Sequence, residues 1–294
     1  MIRRFETVDV FTEQRFGGNP LAVFVDAAGI DDATMQALAA EMNYSETTFV
    51  LPPNDPVNTA RVRIFNRQHE MPFAGHPMVG TAFVLARLGQ FKGREARFEV
   101  PAGIVAVTLE LDPGGLAIGA KVEAPQFFNV GMAIPAATVA DCLGLRESDV
   151  VIDHHAPVIG SAGNHYVLAE VTEAAIARCQ PEIAKFRDAA TKRPALGGRF
   201  SVLAYARDGN RLYARMFAPL AGTWEDPATG SANAPLAGLL LSLGDSEHAE
   251  FAVRQGIEMG RPSLLHTTAR RTVDGIVVTV AGRCQPVFSG TIDL

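Results

Sequence analysis

Two short segments of this 294-residue chain gather side chains able to move protons and hold anions. They read "EMPFAGHP" (70–77) and "EDPATGSA" (225–232). The first brings Gly75 and His76 to the start of an apolar run. The second brings Asp226, Gly230, Ser231 and Ala232 to the start of another. A third segment, "NYSETTFVL", offers the carboxylate of Glu46 beside Ser45 at the head of a strand. A carboxylate and an imidazole are suited to general acid–base work. A glycine turn that opens a helix leaves unpaired N–H groups and a partial positive charge, which favour a phosphate or carboxylate. Gly75 and Gly230 let a ligand come close to the backbone.

Each residue also has a purely structural reading. Asp226 or Thr229 can act as a helix N-cap with Pro227 just inside, and Pro77 can occupy a first helical position. Glu46 alone reads as a capping or surface glutamate, and His76 alone as a structural histidine bonded to backbone. His69 and Glu70 read as a solvated turn. Capping and ligand binding both account for the two mouths on these grounds.

The elements that must position these groups are legible from periodicity. "HPMVGTAFVLARLG" and "SANAPLAGLLLSLG" are apolar nearly all round and end at Gly89 and Gly244, the pattern of helices buried inside a domain. "IDDATMQALAAEMN" predicts a helix capped by Asp31 or Asp32, and "TVADCLGL" and "EAAIARC" predict short surface helices. Short β-branched or aromatic runs predict strands, among them "ETVDVF", "LAVFVD", "ETTFVLP", "RVRIF", "RFEV", "IVAVTLEL", "NHYVLAEV", "SVLAYA", "RLYARMF", "IVVTVAG" and "GTIDL".

The two buried helices belong to an internal repeat. "PFAGHPMVGTAFVLARLG" (72–89) aligns with "PATGSANAPLAGLLLSLG" (227–244) at an offset of 155 residues. Upstream, "RIF" (63–65) meets "RMF" (215–217) at 152, and Gly18-Asn19 meets Gly163-Asn164 at 145. A period of about half the chain implies two similar domains rather than a solenoid. Each is expected to wrap strands around one buried helix, with a junction around residues 119–131. The expected domains are 1–120 and 121–294, the last strand being able to pair back with the first domain. The two helix mouths are expected to face one cleft, suited to a small carboxylic acid.

Composition narrows the function classes. The chain is 48% hydrophobic and 20% charged, with a net charge of −6, so it has material for a sizeable core and no basic patch for nucleic acid. Three dispersed cysteines (Cys142, Cys179, Cys284) make no disulfide framework and fit a reducing cytoplasm. No apolar run has the length of a membrane span or a signal peptide. No zinc spacing, P-loop, dinucleotide fingerprint or G-x-S-x-G elbow occurs. His154-His155 are sequence neighbours and make a poor metal pair. No metal and no cofactor are expected.

Over nearly its whole length the chain resembles the phenazine-biosynthesis PhzF-like isomerases, which share the diaminopimelate epimerase fold. The resemblance rests on "DVFTEQRFGGNPLAVF", "EMNYSETTFVLP", "RIFNRQHEMPFAGHPMVGTA", "RMFAPLAGTWEDPATGSANAPLAGLL" and "QGIEMGRPSLL". It implies an α+β fold of two pseudo-symmetric domains, each a curved β-sheet or barrel around a central helix. It implies a site in the cleft between them, no cofactor, and a homodimer. The family's acid/base glutamate falls on Glu46, its helix-mouth histidine on His76, its aspartate on Asp226 and its hydroxyl on Ser231. Asn19, Ser45, Gly75, Gly230 and Ala232 fall on substrate-binding positions, with Gly230, Ser231 and Ala232 resembling a carboxylate cradle.

The family's prototype reaction isomerises trans-2,3-dihydro-3-hydroxyanthranilate by moving a proton from one carbon to another. Related epimerases and racemases place two cysteines at the helix mouths, and this chain has none there. Asn66-Arg67 stand where Thr-Pro is common in the family, and bulky Trp224 precedes the acid pair. The expected function is a cytoplasmic, cofactor-independent isomerase acting on a small cyclic carboxylic acid. The alternatives are an amino-acid racemase or epimerase without a cysteine pair, and a non-catalytic small-molecule-binding protein on the same fold.

Overall fold

The computed structural model describes residues 1–294 and forms two compact units, residues 1–125 with 280–294, and residues 126–279. The first unit contains β1 (Ile2–Val10), β2 (Asn19–Phe24), α1 (Asp32–Met42), β3 (Glu46–Leu51), β4 (Ala60–Phe65), β5 (Glu70–Met71), α2 (Gly75–Arg87), β6 (Glu95–Val100), β7 (Gly103–Leu111) and β8 (Ala117–Glu123). The second contains β9 (Asn129–Ala133), α3 (Ala136–Leu143), β10 (Val158–Ser161), β11 (His165–Glu170), α4 (Glu173–Ile176), α5 (Ile183–Thr191), β12 (Val202–Asp208), β13 (Arg211–Ala218), β14 (Thr223–Asp226), α6 (Gly230–Ser242), β15 (His248–Gln255) and β16 (Ser263–Arg271). The final strand, β17 (Ile276–Asp293), starts in the second unit and continues into the first.

In the first unit the pairings run β1–β2, β2–β3, β3–β4, β4–β6, β6–β7, β7–β8, β8–β17 and β17–β1, so eight strands close on themselves. Closure removes the exposed edges that an open sheet would carry. Helix α2 packs against β1, β2, β3, β7 and β8, and residues 75–85 are all buried. That is why the sequence there is apolar on every side. Gly80 permits the approach: a Cβ at this position would lie 2.6 Å from Leu21 Cδ2 and 2.8 Å from Val10 Cγ2. Helix α1, capped by Asp31 through the N–H of Thr34, covers a second apolar layer. There Phe24 stacks on Phe49 at 5.0 Å, and Phe49 meets Phe65 edge-on at 5.4 Å.

The second unit repeats this order of pairings. Antiparallel β1–β2, parallel β2–β3, antiparallel β3–β4 and parallel β4–β6 correspond to β10–β11, β11–β12, β12–β13 and β13–β15. The registers repeat as well. Thr47 faces Phe65 where Val202 faces Phe217, and Ile64 faces Met71 where Met216 faces Asp226. Helix α6 packs against β10, β11, β15 and β16, buried from Ala232 to Leu241 like α2. The fold is therefore α+β with two pseudo-symmetric domains, each a curved sheet around a central helix. No helix is long and apolar enough to cross a membrane.

Candidate functional site

Neither central helix is capped by a side chain. The residue before α2 is Ala74, whose side chain has no oxygen, and Thr229 before α6 makes no side-chain cap bond. Pro77 is the third residue of α2, not the first. The capping account of these two mouths is thus not realised, and the polar groups around them are committed elsewhere.

At the first mouth, Glu46 opens β3 and His76 is the second residue of α2. Glu46 Oε2 lies 2.8 Å from His76 Nδ1. His76 is buried, and its other ring nitrogen, Nε2, is buried with no hydrogen-bond partner. A buried polar atom left without a partner costs free energy. Asn19 is fully buried at the start of β2. Ser45 directly precedes Glu46, and Gly75 directly precedes His76.

Glu70, expected in a solvated turn, is bound by Arg63 through two bonds of 2.7 Å, Nε to Oε1 and Nη2 to Oε2. Arg63 also bonds Asp32 on α1 and lies over the Phe65 ring. His69 is likewise structured, its backbone N–H donating to Asn66 Oδ1 at 2.8 Å.

At the second mouth, Asp226 ends β14 and is buried. Its Oδ2 accepts a 2.5 Å hydrogen bond from the hydroxyl of Thr229. Ser231, the second residue of α6, lies 2.7 Å from the hydroxyl of Tyr166 on β11. Gly230 opens the helix, and the N–H of Ala232 donates to the carbonyl of Thr229 at 3.1 Å. Glu225 is held by Arg215 through bonds of 2.8 and 2.9 Å, and Arg215 lies over the Phe217 ring. The Arg63–Glu70 unit is thus rebuilt at the second mouth. These fork-to-fork pairs anchor the strand leading into each helix.

The repeat makes the two mouths comparable position by position. At the offset of 155, His76 corresponds to Ser231 and Glu46 to Ser201. The bonded carboxylate–imidazole pair occurs at the first mouth alone. Its counterparts at the second are both hydroxyls, and the carboxylate there, Asp226, sits where the first mouth has Met71.

Two contributors escape sequence reasoning. In the sequence Tyr166 reads only as part of a strand, and Gln255 only as part of a motif. Gln255 is buried at the end of β15 and bonds both Asp226 and Thr229. Neither is adjacent in sequence to the groups it touches.

The cysteines sit on α3, after α4 and on β17, all buried as free thiols. Burial pushes Cys142 and Cys179 up to about 12 and Cys284 higher still. His154 and His155 bond into one cluster with Glu170 and Tyr205. His154 Nδ1 lies 2.9 Å from Glu170 Oε2, and His155 Nε2 lies 2.6 Å from the hydroxyl of Tyr205, which itself donates to Glu170 at 3.4 Å.

The model of the phenazine biosynthesis-like family, PhzC-PhzF, matches residues 8–290. An uncharacterized isomerase of Mesorhizobium japonicum is 35% identical, with 89% of this chain and 88% of that one covered. The trans-2,3-dihydro-3-hydroxyanthranilate isomerase of Pseudomonas chlororaphis is 32% identical, with both chains covered in full. The structure of a predicted epimerase from Pseudomonas aeruginosa superposes with a TM-score of 0.80 at 31% identity over 99% of each chain. From the matched residues, the shared identity and the common fold, the chain belongs to the phenazine biosynthesis-like PhzC-PhzF family and is an isomerase.

Proposed function

We propose that the chain is a cofactor-independent isomerase that moves a proton between two carbons of a small cyclic carboxylic acid. The observation that carries this is the Glu46–His76 pair, with one imidazole nitrogen bound to the carboxylate and the other buried without a partner. A substrate oxygen or nitrogen in reach of Nε2 would complete that imidazole's hydrogen bonding. Glu46 takes a proton from one carbon, the electron pair shifts through the conjugated system, and Glu46 returns the proton to a second carbon. His76 orients the carboxylate, bonds the substrate and can pass a proton between the two. Ser231 and the N–H groups at the helix mouths hold the substrate carboxylate and oppose developing negative charge. Asp226 bonds a polar substituent, and Asn19, Ser45, Gly75, Gly230 and Ala232 line the site. This reading requires both mouths to serve one substrate. With the carboxylate–imidazole pair at one mouth, hydroxyls at its two repeat positions, and Asp226 assigned to binding, a shift on one face is favoured over stereoinversion, which normally uses two bases.

The test compound is trans-2,3-dihydro-3-hydroxyanthranilate, named from the Pseudomonas chlororaphis relative. Incubation in D₂O followed by NMR reads both turnover and the label's destination. Glu46→Gln should lower turnover about 10²- to 10⁴-fold while ligand still binds. A variant as fast as wild type would remove Glu46 from the mechanism. An inert compound excludes that substrate and directs the assay to other cyclic acids and to amino-acid racemisation. We take the enzyme to be a cytoplasmic homodimer, and sedimentation equilibrium checks the mass.

A further inference from the structure

The second helix mouth is wired by a side chain that comes from a distant strand. The Gln255 side chain makes four contacts. Its Oε1 accepts from the backbone N–H of Thr229 at 3.3 Å and from Asn233 Nδ2 at 2.8 Å. Its Nε2 donates to the carbonyl of Asp226 at 2.7 Å and to Thr229 Oγ1 at 3.2 Å. A peptide N–H can only donate and a carbonyl can only accept, so the amide has one workable orientation. With Nε2 donating to its oxygen, the Thr229 hydroxyl sends its own proton onward, along the 2.5 Å contact to Asp226 Oδ2.

Gly256 is what brings the end of β15 this close. It has φ +74°, and a Cβ there would lie 2.6 Å from the Pro227 carbonyl oxygen.

The first mouth shows that the fold does not require this relay. At the offset of 155, Asp226, Thr229 and Gln255 correspond to Met71, Ala74 and Val100. Val100 ends β6 as Gln255 ends β15, and Ala74 precedes α2 as Thr229 precedes α6. The corresponding strand–turn–helix is built there with no polar side chain at these three positions, and its backbone differs in detail: Ala74 lies at φ −152°, ψ 135° and Thr229 at φ −113°, ψ 86°. Burying polar groups without such need is costly, and their presence at one mouth alone indicates a use.

We propose that Gln255 is a positioning residue that acts through Thr229 to fix Asp226 Oδ2 as a hydrogen-bond acceptor, keeping this carboxylate ionised and in one rotamer for substrate binding. The proposal rests on the functional reading of Asp226 given above, but the relay has its own readout.

Neutron diffraction on the deuterated wild-type protein should place the Thr229 deuteron between Oγ1 and Asp226 Oδ2. A deuteron pointing elsewhere overturns the relay. Carbon-13 NMR of the Asp226 carboxyl then follows its titration without any substrate. Thr229→Val should raise the midpoint, Thr229→Ser should restore it, and Gln255→Met should raise it by freeing the hydroxyl to rotate. Gln255→Asn, uncharged and one methylene too short to reach Thr229, serves if the methionine variant does not fold. An unchanged midpoint in a folded Gln255 variant, with Thr229→Val shifted, overturns the role of Gln255. Besides Asp226, the charged groups and histidines on β13 to β16 and in the loop after β15 are Arg211, Arg215, Glu225, His248, Glu250, Arg254, Glu258, Arg261, His266, Arg270 and Arg271. All are common to every variant, so a shift belongs to the relay. Asp226→Asn with unimpaired turnover would instead remove Asp226 from the functional reading and leave the relay result standing.

Discussion

His76 Nδ1 lies 2.8 Å from Glu46 Oε2, joining the first residue of β3 to the mouth of α2. The two side chains are 5% and 17% exposed. The bond fixes which imidazole nitrogen remains available, so a hydrogen bond from His76 to a ligand must use Nε2.

His76→Gln is the sharper probe of this pair. Glutamine can bond Glu46 or a ligand, but it cannot carry a proton between them. Turnover of trans-2,3-dihydro-3-hydroxyanthranilate should fall about 10²-fold or more with the thermal melt preserved. Steady-state kinetics and circular dichroism together check both halves, and unchanged kcat would show that His76 is structural only.

The two arginine forks should differ in worth. Arg215 is 6% exposed in its side chain and also donates to the carbonyls of Ile176, Ala177 and Cys179. Removing one partner of a buried pair costs about 3–5 kcal/mol, so Arg215→Met should lower stability by that order. Arg63, at 21% exposure with partners at 32% and 81%, should cost less. Urea unfolding of the two variants side by side tests the ranking, and equal losses would refute it.

Acid should weaken the protein through identifiable groups. Bonds from the backbone of Asp55 and Asn54 and the side chain of Asn58 hold Glu99 down to about 2, from an ordinary 4.5. Arg146, assisted by Arg178, holds Asp149 at about 2, from 3.8. Both carboxyls are depressed in the folded state, so their contribution is full above the unfolded values and is lost as pH falls toward 2. Stability from urea melts should decline between about pH 5 and 2. Asp149→Asn should flatten part of that slope, and an unaltered slope would clear Asp149.

The thiols offer a test of packing. Cys142, Cys179 and Cys284 are buried and their thiolates disfavoured, so native protein should resist a thiol reagent at pH 8. All three should react once guanidinium unfolds the chain. Rapid labelling of native protein would contradict this packing.

The sequence revealed what is local. Helix mouths, their glycines and the two apolar helices are contiguous stretches, so spacing exposed them, and the 155-residue offset carried through to α2 and α6 without slippage. Strands with small or polar residues inward escaped. In β16 the buried positions are Ser263, Leu265, Thr267 and Ala269, which make no hydrophobic alternation. β17 reads as two strands because Pro286 interrupts it, yet Pro286 is accommodated opposite Val8 beside a register shift. Gln255 and Tyr166 were unreadable as site residues for a different reason. Gln255 lies 26 residues from Thr229 and Tyr166 lies 65 from Ser231, and only tertiary packing brings each pair together. Glu225 sat one residue from Asp226 and shared its motif, but the buried arginine behind it gives it an anchoring role.

The path of β17 has a consequence for synthesis on the ribosome. The second unit is one continuous stretch, residues 126–279, whereas the first needs residues 280–294 to pair with β1. The first barrel therefore waits, with the edges of β1 and β8 open, until residues 280–294 follow the whole of the second unit off the ribosome. The later-encoded unit can complete its own pairings first, reversing the order in which nascent domains generally mature.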